Sequence, residues 1–175
     1  MKKTIIDILL FILDWTWCLP QILIGRIKSA AWYASLCKAE DASLKVIKDL
    51  EKKYRCEIYL VKRESRNEHR FFKKISGSGI GRYICLTETE PDNGAIDDEA
   101  TVRHEIGHVI QSRILGPFFV LVMICSPLYN LKSRSLEKQG WTWEQLVRWY
   151  YSRWCEAWAD TLAKVDREKW IEARK

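Results

Sequence analysis

The reading of this chain turns on Asp97-Asp98-Glu99-Ala100-Thr101-Val102-Arg103-His104-Glu105-Ile106-Gly107-His108. Three acids at its start match the positive end of a helix dipole. A helix is therefore expected to open here and run to about Leu115, where Gly116-Pro117 stops it. Residues four apart lie on one helix face, one turn above the other. His104 and His108 can then reach a single metal ion. Glu105 sits beside them without being a ligand, placed to take a proton from an activated water. The chain has only three histidines, and two of them are used here.

A catalytic zinc takes three protein ligands and leaves its fourth position open. The remaining histidine, His69, lies in a charged segment. Glu156 is the stronger candidate, because a lone carboxylate among apolar and aromatic residues is costly unless it is paired or coordinating. Asp160, one turn further on, can accept the outer N–H of a liganding histidine and fix its tautomer. The competing reading for Asp160 is a surface ion pair with Lys164. Cys155 reads as a buried, inert thiol rather than a nucleophile. Tyr150, Tyr151, Arg153 and His69 are the candidates for a donor to a developing oxyanion.

His104-Glu105-x-x-His108 followed by Glu156-x-x-x-Asp160 resembles the gluzincin group of zincin metallopeptidases. The resemblance implies zinc bound by two histidines and the glutamate of a second helix, with the aspartate buttressing a ligand histidine. More closely, the chain resembles a family of small, largely uncharacterised bacterial predicted metallopeptidases. That likeness is carried by Trp17-Cys18-Leu19-Pro20-Gln21, Gly79-Ile80-Gly81-Arg82-Tyr83-Ile84, the segment from His104 to Pro117 with Gln111-Ser112-Arg113, and Glu156 to Asp160. In zincins an edge strand before the metal helix often holds the peptide extended; by analogy Ile80 to Leu86 would do so here.

Around these motifs, 175 residues with 47% hydrophobic and 30% charged content make about one folded domain. The net charge of +6 is scattered, with no compact basic run that would specify nucleic acid. Six cysteines without a C-x-x-C pair fit free thiols in a reducing compartment, hence a cytoplasmic location. Nine tryptophans read first as core packing, with an interfacial belt on a membrane as the alternative.

Two segments are expected. The segment 1–36 is apolar and Trp-rich. Its run from Thr4 to Ile24 is interrupted by Asp7 and Asp14 and broken by Pro20, so it reads as an amphipathic helix packed on the domain or on a membrane surface. The segment 37–175 is the metal-binding domain. It should open with a helix from Asp41 or Ser43 to Tyr54, then a meander of strands at Cys56–Val61, His69–Ile75 and Ile80–Thr87, with Ser76 to Gly79 as a flexible turn and Glu88 to Gly94 as a loop. After the metal helix, Phe118 to Leu128 is too short to span a bilayer and reads as a buried helix. A polar stretch from Lys132 to Gly140 leads into one long helix from Thr142 to Arg167.

The expected fold is α+β: a minimal zincin-like domain with a small, mainly antiparallel sheet on the HExxH helix and a C-terminal glutamate helix. The expected function is Zn2+-dependent hydrolysis of a peptide or protein substrate, with His104, His108 and Glu156 as ligands, Glu105 as base and Asp160 in support. A non-catalytic binding protein of zincin shape, or a membrane-surface module with a structural metal, are the alternatives.

Overall fold

The N-terminal apolar run folds as two helices. In the computed structural model, which describes residues 2–33, 43–61, 77–87 and 99–173, α1 is Lys2–Trp15 and α2 is Leu19–Tyr33. The break falls at Thr16-Trp17-Cys18 and not at Pro20, which sits in the first turn of α2, where its missing N–H leaves no helical bond unmade. Helix α3 (Ser43–Tyr54) leads through Arg55, in the left-handed region at φ 52°, into β1 (Glu57–Val61).

Among the described residues, strands β2 (Gly77–Ile80) and β3 (Tyr83–Thr87) join β1 in a three-stranded sheet of order β1-β3-β2. The segment expected as one strand from Ile80 is thus two, and the supposed flexible turn is strand from Gly77 onward. Gly81, at φ +61°, opens a two-residue hairpin that sets Ile80 opposite Tyr83. The expected mainly antiparallel sheet is mixed: β2 pairs with β3 antiparallel, but β1 pairs with β3 in parallel, Glu57 opposite Tyr83. A tight turn forces antiparallel neighbours, whereas the long connection between β1 and the hairpin leaves either direction open. The Asp41 cap, the strand at 69–75, the loop at 88–94, His69 and the boundary at 36/37 lie outside the described residues.

Helix α4 (Glu99–Leu115) carries the two histidines and passes through a 3-10 turn (Gly116–Phe119) into α5 (Val120–Lys138). Helix α5 runs through Pro127 and through the segment expected to be a polar connection. It is also not a buried helix. Only Val122 and Leu136 are buried, while Phe118, Val120, Leu121, Ile124, Leu128 and Leu131 face outward. One stripe of α5 packs, with Val122 meeting Phe119 and Cys155. The expected long final helix is three: α6 (Trp143–Tyr151), α7 (Trp154–Ala163) and α8 (Arg167–Glu172). Thr142 starts α6 with a capping box to Gln145, but the breaks after Tyr151 and at Lys164 (φ 57°) carry no Gly or Pro to announce them. The fold class is α+β, mostly helical, around this small sheet.

The core lies where α4 crosses the sheet: Cys56, Ile84 and Leu86 meet Val102, Ile106 and Val109. Cys18 and Ile22 cover Tyr83 in a second cluster, so the start of α2 is fastened to the domain. Asp14 explains itself here. It is buried and takes a forked ion pair from Arg113 (3.0 and 3.2 Å), whose other N–H groups donate to the carbonyls of Tyr54 and Arg55. The described tryptophans do not form the core. No described tryptophan side chain is buried, and Trp15, Trp17, Trp141, Trp143 and Trp154 are exposed.

Candidate metal centre

Helices α4 and α7 touch backbone to backbone, and Gly107 is the reason. A Cβ at this position would collide with the carbonyl of Ala159. Its absence lets α7 lie close enough for Glu156 and Asp160, one turn apart, to reach His104 on α4. His104, His108 and Glu156 are all buried, and each offers one ligand atom within 4.8 Å of the others. The Nε2 of His104 is 3.0 Å from Glu156 Oε2, and the Nε2 of His108 is 3.4 Å from the same oxygen.

The outer ring nitrogens are engaged as well. Asp160 Oδ1 lies 2.7 Å from His104 Nδ1, so that nitrogen donates and Nε2 is left facing Glu156. His108 Nδ1 lies 2.7 Å from Gln111 Oε1. The amide orientation follows from its other end, where Nε2 donates to the Cys155 carbonyl at 2.6 Å. His108 therefore also carries its proton on Nδ1 and turns Nε2 inward. Sequence reasoning left Gln111 without a role, although its spacing of three residues from His108 on a helix was the available signal.

Asp160 does not pair with Lys164. Arg167, at the start of α8, forks onto it, Nε to Oδ2 at 3.0 Å and Nη2 to Oδ1 at 2.6 Å. The Arg167 guanidinium also lies 3.6 Å from the centroid of the Tyr151 ring, and Tyr151 meets the His104 ring edge-on at 5.0 Å. Arg167 lies beyond a helix break that the sequence does not mark, and no pattern singled it out.

Charge in the site follows from this packing. Burial disfavours the His104 imidazolium, but hydrogen bonds to Asp160 and Glu156 and the nearby Glu105 outweigh it and raise its pKa to about 9. Burial also opposes ionisation of Glu156, yet its hydrogen bonds to the two histidines hold its pKa well below the usual carboxylate range. Asp160 is lowered in the same way, by His104 and Arg167 against burial. Burial beside Glu156 pushes the Cys155 thiol up to about 12. The thiol is inert as a nucleophile and instead faces Glu156 Oε1 at 3.5 Å.

Glu105 is buried, and its Oε2 has no hydrogen-bond partner among the described residues. Strand β2 lies directly over it. A Cβ on Gly77 would stand 2.5 Å from Glu105 Oε1, and one on Gly79 would stand 2.7 Å from the Glu105 carbonyl and 3.2 Å from His108 Cβ. These glycines bring the strand onto the metal helix itself. Of the expected oxyanion donors, Tyr150 bonds Ser126 at 3.1 Å and Arg153 lies over Trp149 with Nε on the Trp149 carbonyl. Tyr151 is the one whose ring touches a ligand histidine.

The donor set, two imidazole nitrogens and one carboxylate oxygen turned toward one another, has the chemistry of a metal site. Two imidazoles and a carboxylate suit a divalent transition-metal ion. The arrangement is a buried, three-donor group able to hold a metal ion, beside a carboxylate oxygen with no partner among the described residues. Set against known protein families, characterised proteins and solved structures, the chain shows no significant match.

Proposed function

We propose that this chain is a zinc-dependent peptidase of the zincin kind, with His104, His108 and Glu156 as ligands and Glu105 as general base. One observation carries the reading: three convergent donors stand beside a buried carboxylate whose Oε2 has no partner among the described residues. When bound, zinc acts as a Lewis acid and makes water nucleophilic near neutral pH. Glu105 takes the proton of the attacking water on Oε2 and delivers it to the amine that leaves. Asp160 and Gln111 hold the two imidazoles in the tautomer that presents Nε2. Tyr151, kept protonated by its burial, is the proposed donor to the oxyanion.

The substrate strand in this reading is β2 and not β3. Strand β3 has a neighbour on each side, whereas β2 has one among the described strands and runs over Glu105. An extended peptide can add to such an edge by backbone hydrogen bonds.

Metal analysis of the purified protein, paired with cleavage of a mixed peptide library read by mass spectrometry, tests the proposal. Zinc at one equivalent and cleavage are expected. Glu105→Gln should keep the metal and lose turnover by about 10²- to 10⁴-fold. Undiminished cleavage by that variant would remove Glu105 as base. Bound metal with no cleavage of any library member would favour the non-catalytic binding protein.

A further inference from the structure

The outward apolar residues are concentrated on elements that follow one another in space. Helix α1 packs on α2, α2 packs on the 3-10 turn, and the turn continues into α5. On α1, Ile5, Ile6, Ile8, Leu9, Phe11 and Ile12 are all exposed, Leu9 and Phe11 at 60% each. At 100° per residue these six positions cover an arc of roughly 220°, more than half the helix circumference and wider than the single stripe that a docked protein helix covers. The surface continues through Leu23, Ile24 and Ile27 of α2, Phe118 in the turn, and Val120, Leu121, Ile124, Leu128 and Leu131 of α5.

Within the continuous helical stretch Glu99–Lys138 lies an 18-residue window long and apolar enough to cross a membrane, and only 17% of it is buried. A soluble core helix passes such a test by being buried, which this one is not. Helix α5 also does not stand free of the domain. Its inner stripe packs on α6 and α7, where Tyr129 meets Trp149 and Ser126 meets Tyr150. A helix flanked by such neighbours, which carry the ion pairs of Arg148 with Glu144 and Glu168, lies along a membrane more readily than through it. Helix α1, at 14 residues, is about 21 Å long, which reaches into one leaflet and not across about 30 Å of hydrocarbon.

The borders have the chemistry of a lipid headgroup region. Trp15 and Trp17 are exposed at the end of α1, where it turns by 77° into α2. Lys132, Arg134 and Lys138 are exposed directly after the apolar half of α5, on a chain of net charge +6. The one acid of the α1–α2 pair whose surroundings are described, Asp14, points inward onto Arg113 and does not oppose insertion.

We propose that α1, α2, the 3-10 turn and the first half of α5 form a single monotopic membrane surface: α1 enters one leaflet and the α5 face rests at its interface. The occupant of this face is a lipid bilayer, held by apolar burial and assisted by the basic rim.

Flotation of the full chain with phosphatidylcholine vesicles tests this, with and without phosphatidylglycerol. The wild type should float with neutral vesicles and more so with acidic ones, and chelation of the metal should not change this. Leu9→Glu/Ile12→Glu and Leu121→Glu/Ile124→Glu should each reduce flotation at least tenfold while keeping the wild-type circular dichroism and metal content. Quenching of tryptophan emission by brominated phosphatidylcholine, diminished in Trp15→Phe/Trp17→Phe, gives the same answer without acidic substitutions. Equal flotation of the acidic variants, or flotation with acidic vesicles alone, would overturn apolar insertion. So would a lipid-free oligomer that the same substitutions dissolve, since a second copy would then cover the face.

Discussion

Gln111 Oε1 accepts a hydrogen bond from His108 Nδ1 at 2.7 Å, and the same amide donates to the Cys155 carbonyl, so one side chain ties a histidine of the candidate metal centre to the helix that carries Glu156. Gln111 is wholly buried. It fixes which nitrogen of His108 faces the site and how far apart α4 and α7 stand. The Asp160 carboxylate does the same for His104, and is itself held by Arg167. Both histidines are thus oriented before any ion arrives.

Gln111→Ala should weaken metal binding by about 10- to 100-fold, the usual effect of removing a histidine's outer partner. Competition with a chromophoric chelator measures this. Unchanged affinity would show that packing alone orients His108.

Arg167→Met should cost on the order of 2 kcal/mol, because it leaves the buried Asp160 carboxylate with His104 as its one remaining charged partner among those described. The readout is denaturant unfolding of the metal-free protein. Pairing it with Asp160→Asn separates the ion pair from the rest of the Arg167 packing: the double variant should be less destabilised than the sum of the two.

In the metal-free protein the raised pKa of His104 has a definite sign. Its contribution to stability is complete below its ordinary pKa of 6.5 and is lost as pH rises through about 9. Glu156 and Asp160 act in the opposite direction, contributing above their ordinary values of 4.5 and 3.8 and losing this as pH falls below them. Thermal melts of the metal-free protein from pH 2 to 10 should show both limbs. A metal ion must displace the His104 proton, so apparent metal affinity should climb with pH up to about 9 and then level off.

Gly107→Ala should destabilise the protein by about 1–3 kcal/mol and lower metal affinity with it, since the added methyl meets the Ala159 carbonyl. Gly140→Ala, where a Cβ meets nothing within 4 Å, is the control for backbone effects alone. Its own φ of +88° makes some cost there independent of packing. A loss of stability in Gly107→Ala without a loss of metal would mean that the helix contact does not set the ligand spacing.

Much of the site was legible because its information is local. A histidine pair at helical spacing needs only the helix, and the acids before it announce that helix. Glu156 and Asp160 were legible for a different reason: carboxylates on an apolar, aromatic helix demand partners. Gln111 and Arg167 were not assigned roles, and Gly77 and Gly79 read as a flexible turn, because their partners are on other elements. The apolar run after Gly116 misled for a related reason. Composition says that a segment avoids water and does not say what covers it.

The sequence by itself determined the helix that presents His104, Glu105 and His108 and the mixture of helix and sheet, and it singled out Glu156 as the stronger candidate for a third donor; these follow from periodicity and from the cost of burying charge. Tertiary structure alone decided the parallel pairing of β1 with β3, the division of the last helix into three, the bonds that orient both imidazoles, and the outward turn of the α1 and α5 faces. These depend on which surfaces meet after the chain has closed on itself, and spacing along the chain does not contain that.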